Sequence, residues 1–195
     1  MANVCSVSVT LKARSKEEAK KIYDIIADST SEEKATEVSM KDTGYGTGWI
    51  GNFVVNALKM DYHDIPCRGT IDDYSLDGED VILWASTAWG PDNILAPLTS
   101  FVKRDFPDVE IIYTAEEPGF MLYESNDPMV ANTYIVDMFE PIEGIPWVDY
   151  KYGWSKKAIL ELFNEPDLET IEDKYDEVSI HRFEEVDPFS YYQVA

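Results

Sequence analysis

Four carboxylates, Glu116, Glu117, Glu124 and Asp127, fall within twelve residues around a Pro118-Gly119 turn. A hairpin there would bring them close enough to bind a divalent cation through oxygen ligands, or to exchange protons as general acid and base. A metal-dependent nuclease or a small-ligand enzyme would use such a set. Solvated strand edges use the same residue types, because exposed charge there blocks edge-to-edge pairing, so both readings stay open. Cys67 and His63 form a second candidate pair, four residues apart. That spacing faces a thiol with its base on a helix, but Pro66 opposes a helix, so nucleophilic chemistry would need the fold to join them. Neither histidine, His63 or His181, has a Cys or His at metal-ligand spacing. Gly46, Gly48 and Gly51 match a dinucleotide-type glycine spacing. Those glycines hold phosphate only after a buried strand that feeds a helix. The preceding residues, Glu37 to Asp42, are too polar for one, and the glycines read better as the entry to a helix carrying Ile50, Phe53, Val54, Ala57 and Leu58. No catalytic residue, metal or cofactor is assigned from these patterns.

Aromatic side chains offer a different chemistry. Trp49, Trp89, Trp147 and Trp154 are large enough to line a ligand pocket beside carboxylates. Trp147 and Trp154, with Tyr150 and Tyr152 between them, follow a segment broken by Pro141, Gly144 and Pro146. They fit an exposed contact surface, where Trp and Tyr are enriched among the residues that carry binding energy. Glu165, Asp167, Glu169, Glu172, Asp173, Asp176 and Glu177 come next, in a stretch with too little apolar content to form core. These eleven residues are the candidate partner-binding set.

Charge gives that set its meaning. The 195 residues carry 38 Asp and Glu against 16 Lys and Arg, a formal net charge of -22. A compact chain of this length is about 40 Å across, and 22 phosphates span about 37 Å of duplex at roughly 1.7 Å of axis per charge. The protein therefore presents DNA-like charge on a DNA-sized object, which disfavours nucleic acid as a ligand and favours a basic, nucleic-acid-binding protein as partner. Residues 1–109 carry net -7 and residues 110–195 net -15, so the second half supplies most of the field. Solubility alone would also account for the acid.

Positioning these residues requires a folded scaffold, and the composition provides one: 45% hydrophobic and 13% aromatic residues exceed what a disordered acidic chain carries. Cys5 and Cys67 are too few for a disulfide framework and lie in apolar-patterned segments, as buried thiols do. The N-terminus lacks a basic leader and no stretch reaches the roughly 20 apolar residues needed to span a bilayer, so a cytoplasmic protein with no membrane partner is expected. Val4 to Lys12 alternates as a half-buried strand. Ser15 and Glu18 have capping-box spacing for a helix over Lys16 to Ala27. Ser29 to Thr43 reads as a loop. Strands are expected at Cys67 to Ile71, Val81 to Thr87 with Trp84 facing the core, Glu110 to Glu116, Phe120 to Glu124 and Asn132 to Phe139. A helix follows Pro91 with Leu98 and Phe101 inward, Pro97 confining or kinking its first turn, and Glu117-Pro118-Gly119 has the residues of a type II turn. Val7, Val9, Ile22, Ile26, Phe53, Val54, Leu98, Phe101 and Ile112 are the expected core. Beyond Glu140, Ser155 caps a helix marked by Trp154, Ala158, Ile159, Leu162 and Phe163, and Val178 to Phe183 alternates as a last strand. The order describes an α+β protein with helices on one face of a mainly antiparallel sheet at 1–140, and an acidic, helix-containing C-terminal extension at 141–195.

Four stretches, in this order, carry a family resemblance: Cys67-Arg68-Gly69, Thr87-Ala88-Trp89 with Pro91, Ala115-Glu116-Glu117-Pro118-Gly119, and Tyr123-Glu124-Ser125-Asn126-Asp127. Over roughly residues 2–138 the chain resembles the YubB-like domain of bacterial plasmid, integrative-element and phage proteins. The resemblance implies a ferredoxin-like α+β fold and carriage on a mobile element, and supplies no catalytic residues. Joined to the charge, it leads to the expectation of a non-enzymatic protein that inhibits a host restriction or CRISPR nuclease by acidic DNA mimicry. The alternative is a small-ligand-binding protein or metal-dependent enzyme using the 116–127 carboxylates.

Overall fold

A computed structural model describes residues 3–35, 44–148 and 150–192. The fold is α+β, with both antiparallel and parallel strand pairs and, among the described residues, five α-helices. The chain divides into two compact units, Met1–Leu122 together with Asp187–Ala195, and Tyr123–Val186.

In the first unit, β1 (Val4–Lys12) leads into α1 (Lys16–Ser29), whose first turn is closed by Ser15 Oγ accepting from the Glu18 N–H at 3.2 Å. A short α2 (Ile50–Phe53) widens into a π-type turn, Val54–Leu58. Then come β2 (Gly69–Asp77), β3 (Asp80–Ala88), α3 (Asp92–Asp105) and β4 (Glu110–Glu117). The strands lie in the order β2-β3-β1-β4, each neighbouring pair antiparallel. Register sets the core face: Val7, Val9 and Leu11 of β1 stand opposite Ala85, Leu83 and Val81 of β3, and opposite Ala115, Tyr113 and Ile111 of β4. All nine are buried, under helices that contribute Ile22, Ile26, Phe53, Leu98 and Phe101. Pro97 lies inside α3 rather than in its first turn, and is itself buried.

Three expectations change here. Trp84 faces away from the core and is exposed, because the period of two that buries Leu83 and Ala85 turns it outward. Ile112 is only half-buried for the same reason: Ile111 and Tyr113 take the inward positions. The Glu117-Pro118-Gly119 connection is a 3₁₀ turn over Pro118–Phe120 instead of a type II turn, and the left-handed residue is Met121, at φ 55°, rather than Gly119. The side chain of Glu117 selects this turn by accepting the Phe120 N–H.

In the second unit, β6 (Tyr134–Met138) is the centre of an antiparallel sheet ordered β7-β6-β8, with β7 at Lys151–Trp154 and β8 at Val178–Arg182. Separately, β5 (Leu122–Ser125) pairs in parallel with the two-residue β9 (Glu184–Glu185) through Glu124 and Ser125. Two helices complete it, α4 (Lys156–Phe163) and α5 (Leu168–Lys174). Their buried residues Ile159, Phe163 and Ile171 join Val136, Met138, Val148, Val178 and Ile180 in one core. The acidic stretch is thus no bare extension. Leu168 and Ile171 of α5, with Tyr175 at its C-cap, turn toward that core, and Ile171 is fully buried.

Candidate protein-interaction surface

The acidic residues of the second unit are positioned by two caps and a tight turn. Ser155 Oγ accepts from the Ala158 N–H at 3.2 Å and starts α4, which ends at Asn164 in the left-handed region, φ 54°. Asp167 Oδ1 then accepts from the Thr170 N–H at 2.8 Å and starts α5. That backbone hydrogen bond, helped by the Thr170 hydroxyl, holds the Asp167 carboxyl below its ordinary range. Between the caps Glu165 is mostly covered and pairs with Lys174, whose ammonium is pushed above its ordinary range by that bond. Glu169, Glu172, Asp173 and Asp176 are exposed, as is Asp167, whereas Glu177 is half-buried. Glu172 also receives the Ile180 N–H at 3.4 Å, tying α5 to β8. Five of the seven proposed phosphate mimics therefore face solvent, and Lys174, the one cation in their stretch, is committed to Glu165.

The aromatic set divides. Trp147, Tyr150 and Tyr152 are each about half-exposed. Trp154 instead packs against the core beside Tyr134, and its indole N–H is buried without an acceptor. Tyr150 lies at φ 26°, and the strand β7 that follows it is not among the expected elements. β7 is one edge of its sheet and β8, against which α5 lies, is the other. The strand that carries Tyr152 and the strand against which α5 lies are thus two inter-strand spacings, about 10 Å, apart.

The other candidate groups resolve into structural roles. Cys67 Sγ donates to the Tyr62 carbonyl at 3.4 Å, and burial pushes its thiol up to about 11. His63 bonds Asp61 Oδ1 at 2.7 Å instead and lies against the Tyr62 ring, so no thiol–imidazole pair forms. Of the glycines, Gly48 accepts the Ile71 N–H with its carbonyl, and a Cβ there would come within 2.6 Å of the Ile71 oxygen. Gly51 leaves room for the buried ring of Trp49, which would stand 2.3 Å from an added Cβ. Both are close-packing positions. The segment 37–42 lies outside the described residues. Among the carboxylates, Glu117 is buried on its own turn and Asp127 Oδ1 accepts the Met129 N–H at 2.9 Å. No three or more His, Cys, Asp or Glu side chains gather as a metal site among the described residues. None of the described helices is long and apolar enough to cross a membrane.

Sequence reasoning named Trp89 as a possible pocket residue but did not gather the surface of the first unit to which it belongs. Trp89, Phe120, Met121 and Val4 are exposed at the end of the sheet where β1 begins and β3 and β4 finish. Its only sequence signal is the loop chemistry around each aromatic, Gly90-Pro91 and Pro118-Gly119. Comparison with family models, with curated proteins and with solved structures finds no match.

Proposed function

We propose that the protein binds and inhibits a basic, nucleic-acid-binding host protein, of the restriction or CRISPR nuclease kind, by presenting carboxylates where phosphates would lie. One observation carries the reading: Tyr123–Val186 holds 16 acidic and 5 basic residues, net -11, in 64 residues, half the chain's charge in a third of its length. Its acidic side chains on and around α5 face solvent, so their field reaches a partner. Trp147, Tyr150 and Tyr152 supply exposed anchors in the same unit. The mobile-element setting rests on the YubB-like resemblance. The βαββαβ succession and β2-β3-β1-β4 order of the first unit suit a ferredoxin-like domain with α2 inserted before β2. A cytoplasmic location follows from such a target.

The test is capture of basic proteins from a bacterial host lysate, followed by a nuclease assay on whatever is retained. Mimicry requires inhibition that is competitive with duplex DNA, raising the apparent KM for DNA and leaving kcat unchanged. Inhibition independent of DNA concentration, or retention that excess duplex does not reverse, would sink the reading.

A further inference from the structure

Among the described residues of the first unit, Trp89 is the one aromatic with a left-handed backbone. It sits at φ 73°, a left-handed backbone in which a bulky side chain is a genuine outlier. Neighbouring groups enforce this. The Trp89 N–H donates to the Asn3 carbonyl at 3.1 Å, the Thr87 hydroxyl donates to the Gly90 carbonyl at 2.8 Å, and Asn93 Nδ2 donates to the Ala88 carbonyl at 2.9 Å. The result is an indole turned outward and 46% exposed, its ring 5.4 Å from that of Phe120, which is 58% exposed. Burying an aromatic would favour folding, so a backbone held in strain to expose one points to a ligand.

Charge selects that ligand. Glu117 is only 2% exposed, and its carboxylate accepts the N–H of Phe120 itself but takes part in no ion pair among the described residues. Burial strengthens the attraction of such a carboxylate for a cation brought to it. Asp92, half-buried three residues beyond Trp89, has its carboxyl pushed up by burial. A second copy of the chain is disfavoured, since each carries -22. We infer that Trp89 and Phe120 form a platform for an arginine side chain of a basic partner protein, the guanidinium stacking on the rings with Glu117 and Asp92 as counter-charges. Arginine is favoured over lysine because its planar, weakly hydrated cation stacks on aromatic faces. The identity of the ligand rests on the basic-partner reading, but this platform lies on the first unit and not on the acidic segment.

Titration of the full chain with N-acetyl-argininamide, followed by NMR, tests the platform with a monovalent probe. The largest saturable shifts should fall on the Trp89 indole N–H and the Phe120 amide, with affinity at least about threefold above that for N-acetyl-lysinamide. Trp89→Gly keeps the charge and suits the left-handed backbone, so the melting temperature should not fall while the Phe120 shift is lost. Shifts confined to the acidic residues of the second unit, equal affinity for the two probes, or a Phe120 response that survives Trp89→Gly would each overturn the platform. The first of these would leave the basic-partner reading standing. Absence of any shift anywhere would count against both.

Discussion

Cys67 illustrates how one side chain's surroundings decide its chemistry. With its thiol raised to about 11 by burial, the thiolate fraction at pH 8 is on the order of a hundredfold below that of an ordinary cysteine. Native protein should therefore react with a thiol reagent on that order more slowly at this site than urea-unfolded protein; equal rates would show the site to be open. His181 makes a pH prediction. Desolvation lowers its affinity for a proton from the ordinary value of 6.5, opposed by the charge of Glu172. Its ring stacks on Tyr123 at 4.6 Å and one nitrogen bonds Ser179 Oγ at 2.7 Å. A histidine with a depressed folded pKa binds fewer protons folded than unfolded, so its stabilising share is complete above about pH 6.5 and is lost as pH falls through the folded value. The urea midpoint should decline between about pH 7.5 and 5.5, and His181→Gln should flatten that slope. An unchanged slope would assign the decline to other groups.

At the scale of elements, α5 decides whether the acidic stretch is structure or ornament. Ile171 is fully buried among Ile159, Phe163 and Ile180, so Ile171→Ala should destabilise the second unit by about 2–4 kcal/mol through lost transfer energy and a cavity. A loss below about 0.5 kcal/mol would mean the helix does not dock. The sequence disclosed elements wherever polar and apolar residues alternate cleanly: β1 and β8 by period two, α1 and α4 by helical period and their Ser15 and Ser155 caps. It failed where the pattern degenerates. The run Val81-Ile82-Leu83-Trp84-Ala85 is apolar throughout and carries no information about which parity faces the helices, and Ile111-Ile112-Tyr113 misleads in the same way. In α5, the two apolar residues Leu168 and Ile171 are diluted by acids, and the Asp167 cap was the signal that could have found it. The short β7 owes its existence to pairing with β6 and has no pattern of its own. Of the candidate site, the charge and the exposed aromatics at 147–152 were legible; the placing of Tyr152 and of α5 at opposite edges of the β7-β6-β8 sheet, and the turned-out Trp89, depend on register and backbone strain that residue types alone do not encode.

For the whole molecule, the field is the testable quantity. A net charge of -22 should prevent measurable binding of duplex DNA at physiological salt, where the Debye length is about 8 Å and phosphates approach within it. Micromolar binding to unspecific duplex would overturn the charge argument. The sharper experiment converts Glu165, Asp167, Glu169, Glu172, Asp173, Asp176 and Glu177 to their amides together, taking the net charge from -22 to -15. Asp167→Asn retains a side-chain oxygen able to cap α5, the exposed positions contribute little packing, and of the ion pairs among the described residues only Glu165–Lys174 is given up. Urea unfolding should therefore remain cooperative, which establishes that any loss of binding is electrostatic. Against the basic partner retained by capture, the on-rate at low salt should fall severalfold and depend less steeply on salt, since electrostatic steering acts on encounter before contact. The off-rate should change less, because the exposed aromatics at 147–152 are untouched. An amide variant that folds, and that binds at low salt as fast as the original, would show that this segment keeps the protein soluble without standing in for phosphate.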